Sequence, residues 1–83
     1  KGIFMNIYVG NLNYKTSEAS LRELFEKFGE VESVKLVKDR DTGKKKGFGF
    51  VMMDDEFGQK AIDELNDKEF DGRNLKVNQA HSK

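Results

Sequence analysis

The stretch KKKGFGFVMM, from Lys44 to Met53, carries the pattern that decides how this chain folds. Alternate residues of a β-strand point to the same face of a sheet. If Val51 and Met53 face a hydrophobic core, the two glycines of the stretch face it as well. The other face of this strand then carries a cation, two aromatic rings and a thioether, which belong to Lys46, Phe48, Phe50 and Met52.

Three further strands are predicted on either side of this one. Residues Asn6 to Gly10 alternate between apolar and polar side chains, with Tyr8 on the outer face. Residues 31–38 and 74–79 alternate in the same way. Tyr8 therefore joins the two phenylalanines on the outer face of the sheet.

Two amphipathic helices are predicted between the strands. Ser17 suits the N-cap of the first helix and Gly29 its end, and Asp54 or Asp55 can cap the second. Gly58 inside the second helix costs about 1 kcal/mol relative to alanine, so close packing on the sheet is its expected reason. The apolar faces follow the i, i+3, i+4, i+7 spacing, with Leu21, Leu24, Phe25 and Phe28 in the first helix and Gly58, Ala61, Ile62 and Leu65 in the second.

The predicted order of elements is β-α-β-β-α-β. Each strand has one apolar face and each helix one apolar stripe, so both helices are expected on one face of a single sheet. This is the ferredoxin-like α+β arrangement, with a four-stranded antiparallel sheet. Its other face has no helix to cover it.

The 83 residues fit one small domain, expected over residues 5–80. Residues 1–4 are interpreted as a leader, disordered or added in cloning, and residues 81–83 as a flexible tail. There is no cysteine and only one histidine, which excludes disulfides and thiol nucleophiles and argues against a zinc site. No cofactor or metal is predicted. There is no apolar run of about 18 residues, so no membrane span is predicted. We expect the protein in the cytoplasm, or in the nucleus of a eukaryote. A monomer is expected because nothing in the sequence demands a dimer.

The formal net charge is zero, but the charges are unevenly distributed. Residues 35–46 contain six basic residues and two acidic ones, whereas residues 54–71 contain eight acidic residues and two basic ones. Such an asymmetry is typical of a domain with one binding face and one solvated face.

Exposed phenylalanine is unfavourable in water and indicates an interaction surface. The bases of single-stranded nucleic acids have flat π faces, and stacking one base on an aromatic ring contributes about 1–3 kcal/mol. Lysines beside the rings can pair with phosphates. The outer face of this sheet therefore suits a single-stranded nucleic acid.

Two segments resemble the paired motifs of the RNA recognition motif family. IYVGNL, from Ile7 to Leu12, is similar to the shorter motif, and KGFGFVMM, from Lys46 to Met53, to the octamer K/R-G-F/Y-G/A-F-V-x-F/Y. Met53 departs from the octamer, but it is expected to face the core. The similarity extends over residues 6–80 and is strongest to the small bacterial proteins with one such domain. It implies a module that binds single-stranded RNA without catalysis.

The resemblance also implies roles for individual residues. Tyr8 and Phe50 match positions that stack bases, and Phe48 matches a position that inserts between sugars. Lys46 matches the basic residue that contacts a phosphate. Further contacts are expected from side chains beside the rings, namely Asn6, Lys35, Met52, Lys76 and Asn78. The backbone and side chains that follow the last strand, beginning at Gln79, are expected to add others, and peripheral contacts are expected from Arg40, Lys44, Lys45 and His81.

Other aromatic and basic residues are expected to have structural roles. Tyr14, in the loop before the first helix, is interpreted as a packing residue. Arg73, after the Asp71-Gly72 turn signal, is interpreted as structural or solvent-facing. Phe57 lies off the apolar stripe and is expected to be exposed.

Three alternatives stay open or are set aside at this point. Single-stranded DNA could use the same rings, because stacking does not identify the sugar. Protein-interaction relatives of this fold usually lack the ring residues that this chain keeps. Acylphosphatases share the element order but need an arginine in the first loop, and GNLNYKT, from Gly10 to Thr16, has none.

Overall fold

The chain folds in the predicted order, with one short hairpin added before the last strand. The structure is a computed structural model that describes residues 3–80, with only the backbone of Lys45. The elements are β1 (Phe4–Gly10), α1 (Glu18–Glu26), β2 (Val31–Lys38), β3 (Lys45–Asp54), α2 (Asp55–Leu65), β4 (Glu69–Phe70), β5 (Arg73–Asn74) and β6 (Lys76–Ala80).

The sheet has four strands in the order β2-β3-β1-β6, and every neighbouring pair is antiparallel. The side chains of Ile7, Val51, Met53 and Val77 are fully buried between the sheet and the helices. α1 packs mainly on β2, and α2 packs on β6 and β1. The predicted ferredoxin-like fold is confirmed, and it leaves the opposite face of the sheet, hereafter the open face, without a helix.

The helix caps form where the sequence predicts them, but α1 ends early. Ser17 Oγ accepts a hydrogen bond from Ser20 N at 3.1 Å, and Asp54 Oδ1 accepts one from Glu56 N at 3.0 Å. α1 ends at Glu26, so Gly29 is not its terminating residue. A Cβ at Gly29 would lie 2.6 Å from Cγ of Phe57, so the glycine makes room for a ring on α2. Neither helix in the part of the chain described here is long and apolar enough to cross a membrane.

The strand boundaries differ from the prediction at both ends of the chain. β1 begins at Phe4, which lies opposite Asp54 of β3, so the strand starts two residues before the predicted Asn6. β4 and β5 form a separate two-stranded hairpin that the sequence pattern did not reveal. Its turn residues, Asp71 and Gly72, have φ angles of 53° and 82°. Two positive φ angles in a two-residue loop are the geometry of a type I′ turn, which favours this dipeptide.

Gly58 and Gly49 each allow two elements to pack closely, but the elements differ. A Cβ at Gly58 would lie 2.9 Å from Cγ of Met5, which confirms the predicted contact between α2 and the sheet. Gly49 faces the core as predicted, but its neighbour is not a helix. A Cβ there would collide with the carbonyl oxygen of Lys35 and lie 2.9 Å from Cδ2 of Leu36, so Gly49 lets β2 approach β3.

Gly47 departs from the predicted alternation. Its φ is 84°, and a Cβ there would be closest to the carbonyl oxygen of Leu12, at 3.5 Å. The residue therefore faces the loop after β1 and not the centre of the core. Glycine is required here by its backbone conformation, which other L-residues adopt only with strain.

We expect Gly49→Ala to destabilise the domain by about 3 kcal/mol, because the new Cβ would meet a backbone carbonyl that cannot move without shifting β2. The control is Gly72→Ala, where no atom lies within 4 Å of a Cβ but φ is positive. That control should cost only about 1 kcal/mol, from backbone strain. Urea unfolding measures both, and equal losses of stability would contradict the steric explanation.

Candidate nucleic-acid interface

Three aromatic rings lie together on the open face. The ring centroids of Tyr8 and Phe48 are 5.8 Å apart, those of Tyr8 and Phe50 are 6.0 Å apart, and those of Phe48 and Phe50 are 6.1 Å apart. All three side chains are half-buried. These residues, hereafter the aromatic triad, form the compact apolar surface that the alternation in β1 and β3 predicts.

The register of the sheet brings the triad together. Tyr8 lies directly opposite Phe50 across the β1–β3 pair. The Tyr8 ring leans along its own strand over Gly10, where a Cβ would lie 2.8 Å from Cε2 of the ring. Gly10 therefore lets this ring lie low on the sheet. Phe48 and Phe50 contact each other edge to face, at an interplanar angle of 89°.

Polar side chains continue the rows of the sheet on both sides of the triad. Lys35 of β2 lies opposite Phe50, and Asn78 of β6 lies opposite Tyr8. The next row contains Asn6 opposite Met52. Lys35, Asn78 and also Lys46 are exposed, whereas Asn6 and Met52 are half-buried. The structure thus places these predicted residues on the open face or at its edge.

Gln79 and Lys76 are two further predicted contact residues, and both lie on β6. Gln79 lies opposite Ile7, a core residue, so its side chain is on the helix side of the sheet at the edge of β6. The predicted contact of Gln79 with RNA stays a prediction, and its side chain would make that contact from the edge of β6 and not from the open face. Lys76 is exposed, but its Nζ is 3.0 Å from Oδ1 of Asp67. Such an exposed ion pair contributes little and can exchange partners.

The loop between β2 and β3 is ordered by Asp39. Its Oδ1 accepts hydrogen bonds from Asp41 N at 2.8 Å and Thr42 N at 3.0 Å. These bonds, from Thr42 first and then Asp41, lower the pKa of Asp39 below its usual 3.8, and the charge of Lys46 adds to the effect. Arg40 and Lys44 are exposed on this loop, as expected of peripheral cations. The side chain of Lys45 and the whole of His81 lie outside the described residues.

A cleft at one end of the triad contains residues that the sequence did not assign to the site. Its lining includes Tyr8, Lys46, Asn11, Tyr14 and Arg73, and its volume is about 210 Å³. Tyr14 is 70% exposed, so its interpretation as a packing residue is wrong. Arg73 is solvent-facing as predicted, but it also contacts Asn11. Phe4 is a second missed residue, because it shares the parity of Tyr8 on β1 and is 48% exposed.

Groups of three or more side chains able to hold a metal ion are absent from residues 3–80. The interface consists instead of flat rings, amides and cations. Flat rings can stack on planar ligands, and cations can pair with anions.

The sequence is similar to that of known RNA-binding proteins. The family model for the RNA recognition motif matches residues 7–76. The Synechocystis protein RbpA is 49% identical over 77 residues, which cover 92% of this chain and 76% of that protein. The glycine-rich RNA-binding protein 10 of Brassica napus is also 49% identical over 77 residues, which cover 92% of this chain and 46% of that protein. The chain thus spans about half the length of the plant relatives it matches.

Solved structures agree with the sequence comparison. The crystal structure of RNA-binding protein PG1 matches with a TM-score of 0.90 and 49% identity, over 95% of this chain and 96% of that chain. The first two domains of the yeast poly(U)-binding protein match with a TM-score of 0.88 and 30% identity, over 99% of this chain and 50% of that one. The predicted family and fold are confirmed.

We expect the carboxyl carbon of Asp39 to titrate below pH 3.8 in NMR spectra, because the ionised form accepts two backbone hydrogen bonds. A lowered folded pKa stabilises the fold above the unfolded pKa, and this contribution is lost as the pH falls through the folded pKa. Asp39→Asn should therefore be less stable than the wild type at pH 7, with the difference shrinking in acid. Asp41→Asn, which removes the same charge from this loop, is the control and should show a smaller difference. A midpoint above 3.8 for Asp39 would contradict this.

Proposed function

This chain belongs to the RNA recognition motif family, and from that premise we propose that its open face binds single-stranded RNA. The observation that carries the proposal is the aromatic triad, whose three ring centroids lie within 6.1 Å of each other on a surface without a helix. The names of its relatives support the proposal, since the Synechocystis protein RbpA and the Brassica napus protein are both named as RNA-binding proteins. No catalytic step is part of the proposed function.

Binding on this face would combine stacking with phosphate pairing. Tyr8 and Phe50 would offer ring surfaces to successive bases, and Phe48 would insert between sugars, as the matching position does in the family. Each stacked base contributes about 1–3 kcal/mol, so the triad supports recognition of about two to four nucleotides. Lys35 and Lys46 are exposed at the edges of this surface and are positioned to pair with phosphates.

The acidic side chains restrict where RNA can approach. The exposed first turn of α2 contains Asp55 and Glu56, and its last turns contain Asp63 and Glu64. These residues lie on the side of the sheet opposite the triad. Like charges repel a polyanion, so the electrostatic field favours approach to the open face. The cytoplasmic location and the monomeric state stay predictions.

The decisive variant is the double substitution Phe48→Ala, Phe50→Ala. We expect it to weaken binding of mixed-sequence single-stranded RNA about 100-fold, because two stacking surfaces are removed. Backbone amide NMR titration measures the affinity and shows whether the variant is folded. Phe57→Ala, which removes a 40% exposed ring from the helix side, is the control and should bind as the wild type does.

Two results would overturn the proposal. One is a wild-type protein whose amide signals do not shift at near-millimolar RNA of any base composition. The other is a folded double variant that binds as tightly as the wild type. A parallel titration with DNA of the same sequence tests whether the protein distinguishes the 2′-hydroxyl, which only RNA carries.

Lys46→Ala tests the phosphate contact separately. For single strands, each phosphate contact contributes about −0.7 to the slope of log affinity against log salt concentration. We expect this variant to reduce the magnitude of the slope by about that amount. Lys60→Ala removes the same charge from exposed α2 and should leave the slope unchanged. Equal slopes for the wild type and Lys46→Ala would show that Lys46 does not contact a phosphate.

A further inference from the structure

The cleft beside the triad has features of a second binding site. It shares Tyr8 and Lys46 with the open face and adds Asn11, Tyr14 and Arg73. Its lining in the described part of the chain contains two cations and no carboxylate. A ligand in this cleft would therefore be an anion, and it would lie next to any base stacked on Tyr8.

Asn11 holds the guanidinium group of Arg73 at the cleft. Asn11 has a φ of 59°, and its Nδ2 donates to the carbonyl oxygen of Asn74 at 2.7 Å. Its Oδ1 accepts from Nη2 of Arg73 at 2.7 Å and from Nε at 3.2 Å. An amide oxygen fixes the orientation of the guanidinium without neutralising its charge, and Arg73 has no ion pair within residues 3–80. Since a guanidinium has five N–H donors, three are left to bind an anion.

Tyr14 presents its ring from a loop that is itself held in place. Asn13 Nδ2 donates to the carbonyl oxygen of Asp71 at 2.9 Å, and Asn13 Oδ1 accepts from Lys15 N at 2.8 Å. The ring itself lies next to β3, since a Cβ on Gly47 would be 3.7 Å from Cε1 of Tyr14. A large ring that is 70% exposed on an anchored loop offers a stacking surface at little cost in conformational entropy.

We propose that Tyr14, Arg73 and Lys46 form a subsite for one further nucleotide of the strand that crosses the open face. Arg73 and Lys46 bind its phosphate, and the ring of Tyr14 stacks on its base. Tyr8 lines both the triad and the cleft, so a strand stacked on Tyr8 continues directly into this subsite. This inference rests on the proposed function, because it extends the RNA site beyond the triad.

The test compares RNA oligonucleotides of different length. A four-nucleotide RNA is measured against versions extended by two nucleotides at the 5′ end or at the 3′ end. We expect an extension at one end to raise the affinity of the wild type about fivefold or more, from one additional stacked base. Tyr14→Ala should lose this gain while binding the four-nucleotide RNA as the wild type does. Tyr14→Phe keeps the ring and should retain the gain.

Two substitutions of Arg73 test its charge and the geometry of its guanidinium group separately. Arg73→Ala should reduce the magnitude of the salt slope by about 0.7 with the extended RNA only. Arg73→Lys keeps the charge and should retain the slope, although its ammonium lacks the fork of a guanidinium. The control is Lys60→Ala, which removes one positive charge from α2, away from the cleft. Amide NMR spectra confirm that each variant is folded.

The possible outcomes distinguish a failure of the subsite from a failure of the proposed function. If the wild type binds neither RNA, the proposed function fails. If the wild type binds but gains nothing from extension at either end, or if Tyr14→Ala keeps the full gain, the subsite is wrong and the triad still binds RNA. Shifts of the Tyr14 and Arg73 signals with the extended RNA but not with the short one support the subsite.

Discussion

The burial of Val51 and Met53 is the constraint on which the rest of this structure depends. Both side chains are fully buried, and they fix which face of β3 turns to the helices. A strand has a period of two, so a slip of one residue would bury Phe48 and Phe50 and expose both core residues. The hydrophobic core therefore positions the rings of the interface, although no ring of the triad is part of it.

This dependence of the rings on the buried core residues explains how much of the fold and of the site can be predicted from the sequence. Local rules were sufficient where a side chain acts within its own element, as with the cap at Ser17, the inward Met53 and the triad itself. They were also sufficient for the family, because both motifs are short and continuous. The parity of β6 also gives the sides of the sheet on which Asn78 and Gln79 lie, since Asn78 is opposite Tyr8 and Gln79 is opposite Ile7.

The cleft could not be predicted, because its geometry comes from contacts between distant parts of the chain. Asn11 is 62 residues from Arg73, and Asn13 is 58 residues from Asp71. Nothing near Tyr14 in the sequence shows that its ring faces water. The only local signal was the Asp71-Gly72 dipeptide, which indicated a turn without showing what the turn would contact. The same limit applies to Gly49, whose neighbour is the backbone of β2.

The tie between the first loop and the β4–β5 hairpin has a consequence for the order of events during synthesis. Thr16 Oγ1 donates to Oδ2 of Asp71 at 2.7 Å, and Asn11 Nδ2 donates to the carbonyl oxygen of Asn74. These contacts of the first loop can form only after the hairpin has been synthesised. Long-range contacts of this kind close late in folding, since the entropy of the intervening chain must first be lost. A nascent chain that has exposed both motifs from the ribosome still lacks β6 and the hairpin. The open face is therefore completed only after β6 has been synthesised, and the ring residues must stay out of aggregates until then.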